Sequence, residues 1–233
     1  YLTVPYTFIP CLIMYCHYLL RLNKIVISFF LLILSSFASY LTVPFIIGLS
    51  IIFFLERSFK KFIIFLSPTI FYLIYYFSIS NVFKQTEIKI DDNLSFISFI
   101  KNYIVQIISG IDTFIGPSFF LKVFWSISYI NLISIFLFIC FSVLIFFNIK
   151  SKNPKFSPII FFSFLCILIL AFAMFALTGL YTQTPFNLGN RVSIYGSLIL
   201  AYIFSILPLS KKYFILLIVL IILPIFGLSE YWK

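Results

Sequence analysis

Long apolar runs alternate along the chain with short basic or polar breaks. Residues 2–20 are almost wholly apolar before Arg21 and Lys24, and the next run continues over residues 25–55. Further runs cover residues 62–80, 131–148, 157–177, 192–209 and 213–229. Runs of ~17–25 apolar residues suit a bilayer core of about 30 Å. A membrane barrel would instead alternate apolar and polar positions over ~10 residues. The pattern predicts an all-α, polytopic transmembrane helical bundle.

The run over residues 25–55 is the exception in length, since one helix of that extent would reach about 46 Å. Its centre, SSFASYLTVP, carries small and hydroxyl residues and then Pro44, which favours a break. Two short antiparallel helices, 25–39 and 41–55, are therefore expected. Charge supports this reading, because Arg21 and Lys24 precede the run and Arg57, Lys60 and Lys61 follow it. Basic clusters prefer the cytoplasmic side, so the run should cross an even number of times. Carried through the chain, the rule gives about eight spans with both ends outside. Ten of the 16 Lys and Arg residues then lie inside with one acid, and six lie outside with five acids.

Composition agrees with this pattern. Hydrophobic residues make up 63% of the chain and charged ones 9%, and the mean hydropathy is +1.19; a soluble domain is nearer 45–50% apolar. The net charge of +10 is distributed as loop clusters, and no nucleic-acid-binding module accompanies it. Cys11, Cys16, Cys140 and Cys166 sit in apolar runs without CxxC spacing, which reads as small buried hydrophobes with no metal site. The chain opens on Tyr1 with neither an initiator Met nor a signal peptide. The expectation is a fragment of a longer protein, with residues 1–233 forming one transmembrane helical domain.

Residues 81–130 are the long hydrophilic-to-amphipathic exception, an extracytoplasmic segment in this topology. Within it Ile97, Ile100, Ile104, Ile107 and Ile108 recur at helical spacing, with Lys101 and Gln106 between them. Such a helix suits the outer interface, as a lid over a membrane-level cavity, as a structural surface helix, or as part of an extra pair of short spans. Asp91 and Asp92 form an acidic pair, which can act as a base, hold a divalent metal, or simply be solvated. Asp112 lies in apolar surroundings where a carboxylate needs a partner, with Lys101 and Lys122 as candidates. These three aspartates are the weak catalytic candidates. His17, the single histidine, lacks a nearby carboxylate and reads first as a packing residue. No phosphate-binding loop, nucleophile elbow or zinc-protease motif occurs.

The stretch YTQTPFNLGNR is a polar island before the 192–209 run. It brings Tyr181, Gln183, Asn187, Asn190 and Arg191 together above the bilayer on the outer side. There the positive-inside rule does not account for an arginine. Two readings stand: Arg191 holds a lipid phosphate with help from the free N–H groups of the following helix, or it snorkels among headgroups.

The run FLLILSSFASYLTVPFIIGLSIIFFL, the basic loop after it, and FIIFLSPTIFYLIYYF resemble the middle of bacterial type C glycosyltransferase-like (GT-C) membrane proteins. The Ser39-Tyr40 turn, the long outer segment, and the entry Asn190-Arg191-Val192 with Tyr195 are similar too. The resemblance implies a multi-pass protein of the bacterial cytoplasmic (inner) membrane, transferring a sugar from a polyprenyl-phosphate-linked donor at the outer face. Arg191 would hold the donor phosphate, supported by Asn190, Asn187, Gln183 and Tyr181. That family's catalytic acid lies in the first outer loop, so Asp91 and Asp92 do not inherit its role. No cofactor is indicated in this chain; a divalent metal, if used, would belong to the full-length protein. The competing readings are a transporter or flippase for a lipid-linked glycan and a non-catalytic membrane subunit.

The loop charges make one prediction directly. In a background lacking the native cysteines, Lys89→Cys should react with an impermeant thiol reagent applied from outside. Labelling only after permeabilisation would reverse the orientation.

Overall fold

A computed structural model describes residues 3–83, 95–148, 155–177 and 193–206. Among the described residues the fold is all-helical. In chain order the helices are α1 (Thr3–Arg21), α2 (Ile25–Ala38), α3 (Thr42–Leu55), α4 (Phe59–Phe83) and α5 (Phe96–Ile115). They continue with α6 (Pro117–Ser128), α7 (Leu132–Asn148), α8 (Pro158–Leu177) and α9 (Ser193–Ile206). Their starts follow local chemistry. Ser95 accepts the Ser98 N–H on its hydroxyl at 3.1 Å to cap α5, and α6 and α8 open on Pro117 and Pro158, where a missing N–H costs nothing.

The chain divides into two compact units. One holds α1 to α4, the first part of α5, α8 and the start of α9; the other holds the rest of α5, α6, α7 and the remainder of α9.

In the first unit the run over residues 25–55 is two helices. The break closes on its own side chains: the Leu41 N–H donates to Ser39 Oγ at 3.2 Å, and Thr42 Oγ1 donates to the Ser39 carbonyl at 2.8 Å. Ring contacts fix the directions. His17 of α1 stacks on Phe53 of α3, and Phe53 meets Phe65 of α4 edge-on at 5.8 Å. The Arg21 guanidinium pairs with Glu56, and Lys61 Nζ reaches the Arg21 carbonyl at 3.5 Å. The ends of α1 and α3 and the starts of α2 and α4 therefore share one end of the bundle, which carries Arg21, Lys24, Arg57, Lys60 and Lys61. The Ser39–Leu41 turn lies at the other end.

Helix α8 runs antiparallel to α3 in very close approach. A β-carbon added at Gly48 would collide with Ile167 Cγ1 and lie 3.1 Å from the Ile167 nitrogen and the Ser163 carbonyl. Without that carbon, Ser163 Oγ donates to the Gly48 carbonyl at 2.7 Å.

Polarity in this unit runs inward. Ser28, Ser35, Ser36, Thr42, Ser50, Thr69 and Ser163 are buried, while Val26, Phe30, Leu34, Phe71 and Ile74 are exposed. Most of these hydroxyls are satisfied by backbone, as Ser28 is by the Cys16 carbonyl at 2.8 Å and Ser50 by the Ile47 carbonyl at 2.6 Å. A bundle in water does the reverse; hydroxyls inside and apolar side chains outside suit lipid as the solvent.

In the second unit α5 continues the same inversion. Ile108 and Ile111 are exposed whereas Ser109, Asp112 and Thr113 are buried. The amphipathic face predicted from the isoleucines is real and turns its polar side into the protein. At Gly116 the chain bends by 42° into α6. Asp112 Oδ1 accepts the Ser118 N–H at 3.1 Å across the bend, so the carboxylate caps α6. A β-carbon at Gly116 would sit 2.5 Å from that oxygen.

Among the described residues two helices are long and apolar enough to cross a membrane, through Phe59–Ile79 and Pro158–Leu177. The bent α5–α6 pair makes a third if it counts as one span. Helices α2 and α3 have 14 residues each, about 21 Å of helix and short of a full bilayer core.

The α3–α8 contact carries a stability prediction. Gly48→Val should cost about 1–3 kcal/mol by overpacking. Ile167→Ala alone should cost about 2–5 kcal/mol by leaving a cavity. In the double variant the costs should fall short of additivity by roughly 1 kcal/mol, measured by unfolding in detergent. Simple additivity would show that the two residues do not meet.

Candidate functional site

Tyr72 and Tyr76 are one helical turn apart on α4, with ring centroids 6.2 Å apart, and therefore share a face. The turn before α3 adds Tyr40, and Pro44 and Ile47 follow on α3 itself. Across from them α8 contributes Ala173, Met174 and Leu177. Together they line a groove of about 340 Å³ at the end of the first unit away from the basic residues. That volume lies within the range of about 300–1,000 Å³ usual for small-molecule pockets. Among the described residues no acidic, basic or histidine side chain lines it. Its chemistry is that of a slot for an apolar chain, with phenol groups to meet a polar end.

Beside the groove, Tyr195 at the start of α9 packs against the beginning of α3. The ring is fully buried, stacked on Phe45 at 4.6 Å, and its hydroxyl donates to the Leu41 carbonyl at 2.8 Å. Tyr195 is thus a core residue that ties α9 to the α2–α3 turn.

Of the sequence candidates, Asp91, Asp92, Tyr181, Gln183, Asn187, Asn190 and Arg191 lie outside the described residues. Asp112 is described: it is 5% exposed, with Oδ1 accepting from the α6 backbone and Oδ2 without a partner among the described residues. Lys101 is exposed on α5 and makes no ion pair with it among the described residues. His17 is enclosed by Phe53 at 4.4 Å and Phe65 at 5.7 Å, consistent with the packing reading. Among the described residues no group of three or more His, Cys, Asp or Glu side chains could hold a metal. Cys11, Cys16, Cys140 and Cys166 are all free thiols.

Sequence reading missed the groove as a site. The signal was present in YLIYY, residues 72–76, whose first and last tyrosines repeat at helical spacing. Their convergence with Tyr40 and α8 depends on the Gly48 contact, which no local pattern reveals. In comparisons with protein-family models, curated proteins and solved structures, nothing matches the chain.

Proposed function

We propose that the chain is part of a multi-pass protein of the bacterial cytoplasmic membrane. It acts at the outer face on a polyprenyl-phosphate-linked sugar, as a GT-C-like glycosyltransferase in surface glycan assembly. The full arrangement of about eight spans belongs to this proposal. The observation that carries it is the tyrosine-lined groove between α3, α4 and α8. It is apolar along its length, has phenols among its lining, and lies at the end of the bundle opposite the basic turns. A membrane-level slot of this kind suits a long hydrocarbon chain whose polar head remains at the surface.

The second support is chain geometry. Tyr195 is bonded to Leu41, beside Tyr40 of the groove. Arg191 precedes Tyr195 by four residues, so its backbone cannot be more than about 14 Å away along the chain. In this proposal the Arg191 guanidinium takes the donor phosphate at the groove's end through charge-assisted hydrogen bonds. In this reading the groove binds and Arg191 orients.

The test uses the full-length protein in membranes. Arg191→Ala should abolish glycan transfer while leaving insertion intact. Ala173→Trp, which fills the groove, should raise KM for the lipid-linked donor at least tenfold with little change for a short-chain analogue. Unchanged kinetics in both variants would exclude this site.

A further inference from the structure

The opposite end of the bundle carries a second feature. The α1–α2 and α3–α4 turns are built alike. After α1 the Asn23 N–H bonds the Leu20 carbonyl at 3.1 Å and the Lys24 N–H bonds Leu19 at 3.0 Å. After α3 the Arg57 N–H bonds Phe54 at 3.0 Å and the Ser58 N–H bonds Phe53 at 2.8 Å. Both are the paired closure in which the residue after the cap is left-handed, a position that glycine favours. Here Asn23 takes it with φ 60° and Arg57 with φ 57°. Asparagine tolerates that conformation, but arginine has no local reason to be there. A cation stands where glycine would fold better, and its charge faces the cleft between the two turns.

The two turns flank a cleft of about 510 Å³ lined by Asn23, Arg57, Ser58, Lys60 and Lys61, with Ile25 and Phe59 as its apolar side. Arg21 is committed to Glu56. Arg57 and Lys60 are exposed and have no acidic partner among the described residues. The cleft thus offers uncompensated positive charge, an amide and a hydroxyl beside apolar surface. Phe59 and Ile63 next to it are 55% and 62% exposed.

We propose that this cleft binds a phosphate group, and that the phosphate is the headgroup of an anionic phospholipid whose chains lie against Phe59 and its neighbours. Arg57 is the principal phosphate ligand, with Lys60 and Lys61 beside it and Asn23 and Ser58 as neutral donors. The site is independent of the proposed transferase reading and lies at the other end of the bundle.

The test follows the thermal unfolding midpoint of the whole chain in a neutral detergent. Phosphatidylglycerol, phosphatidylcholine and inorganic phosphate are titrated separately at one ionic strength. Phosphatidylglycerol should raise the midpoint saturably and phosphatidylcholine should not. Arg57→Gly should leave the lipid-free midpoint equal or higher, because glycine suits the turn, yet weaken phosphatidylglycerol binding about fivefold. Lys60→Gln should weaken it by a similar factor, and Lys101→Gln, a charge removed elsewhere, should not. If inorganic phosphate alone reproduces the full rise and loses it in Arg57→Gly, the site stands and its source is free phosphate. Equal effects of the two lipids, full affinity in Arg57→Gly, or equal weakening by Lys101→Gln would each overturn the proposal.

Discussion

The close approach of α3 and α8 at Gly48 is the contact on which the first unit depends. Apolar side chains gain little by leaving lipid for one another, so helices in a membrane associate through tight packing and hydrogen bonds. Gly48 supplies the packing by having no β-carbon, and Ser163 supplies the bond to its carbonyl. With α8 seated there, Ala173 and Met174 come opposite Tyr72 and Tyr76 and a groove exists. Tyr195 then closes the same end by reaching Leu41. Move α8 outward by a side-chain width and the groove loses its far wall.

The second organising feature is a division of labour between the two ends. Both basic turns are at one end, where Arg21 and Glu56 join α1 to α3 and the remaining cations are left open. The end with the Ser39–Leu41 turn has hydroxyls and phenols and, among the described residues, no charged lining. The proposed functions follow that asymmetry: phosphate held by spare cations at one end, and a hydrocarbon chain held by apolar walls at the other. Most of the buried hydroxyls between the two ends are satisfied by backbone, as lipid surroundings favour.

Much of the architecture was legible in the sequence because it rests on composition and local rules. The helical class followed from the uninterrupted apolar runs. The division of residues 25–55 followed from its length, its central turn residues and the basic clusters on both flanks. The runs predicted over 131–148 and 157–177 correspond to α7 and α8. What the sequence concealed depends on contacts distant along the chain. Tyr195 resembles any interfacial tyrosine until its hydroxyl is seen to bond a residue 154 positions away. Asp112 resembles an unpartnered acid until the bend at Gly116 brings Ser118 to it. The left-handed Arg57 is likewise invisible to pattern, since turns of this kind are normally announced by glycine.

The central claim is that α2 and α3 form an antiparallel pair, so that the tyrosine groove and the basic cleft face opposite sides of the membrane. The most direct measurement is site-specific labelling of two single-cysteine variants, Tyr40→Cys and Lys60→Cys, lacking the native cysteines, in intact and permeabilised cells. The account predicts that an impermeant thiol reagent labels Tyr40→Cys in intact cells and Lys60→Cys only after permeabilisation. Labelling of both positions from the same side would contradict it.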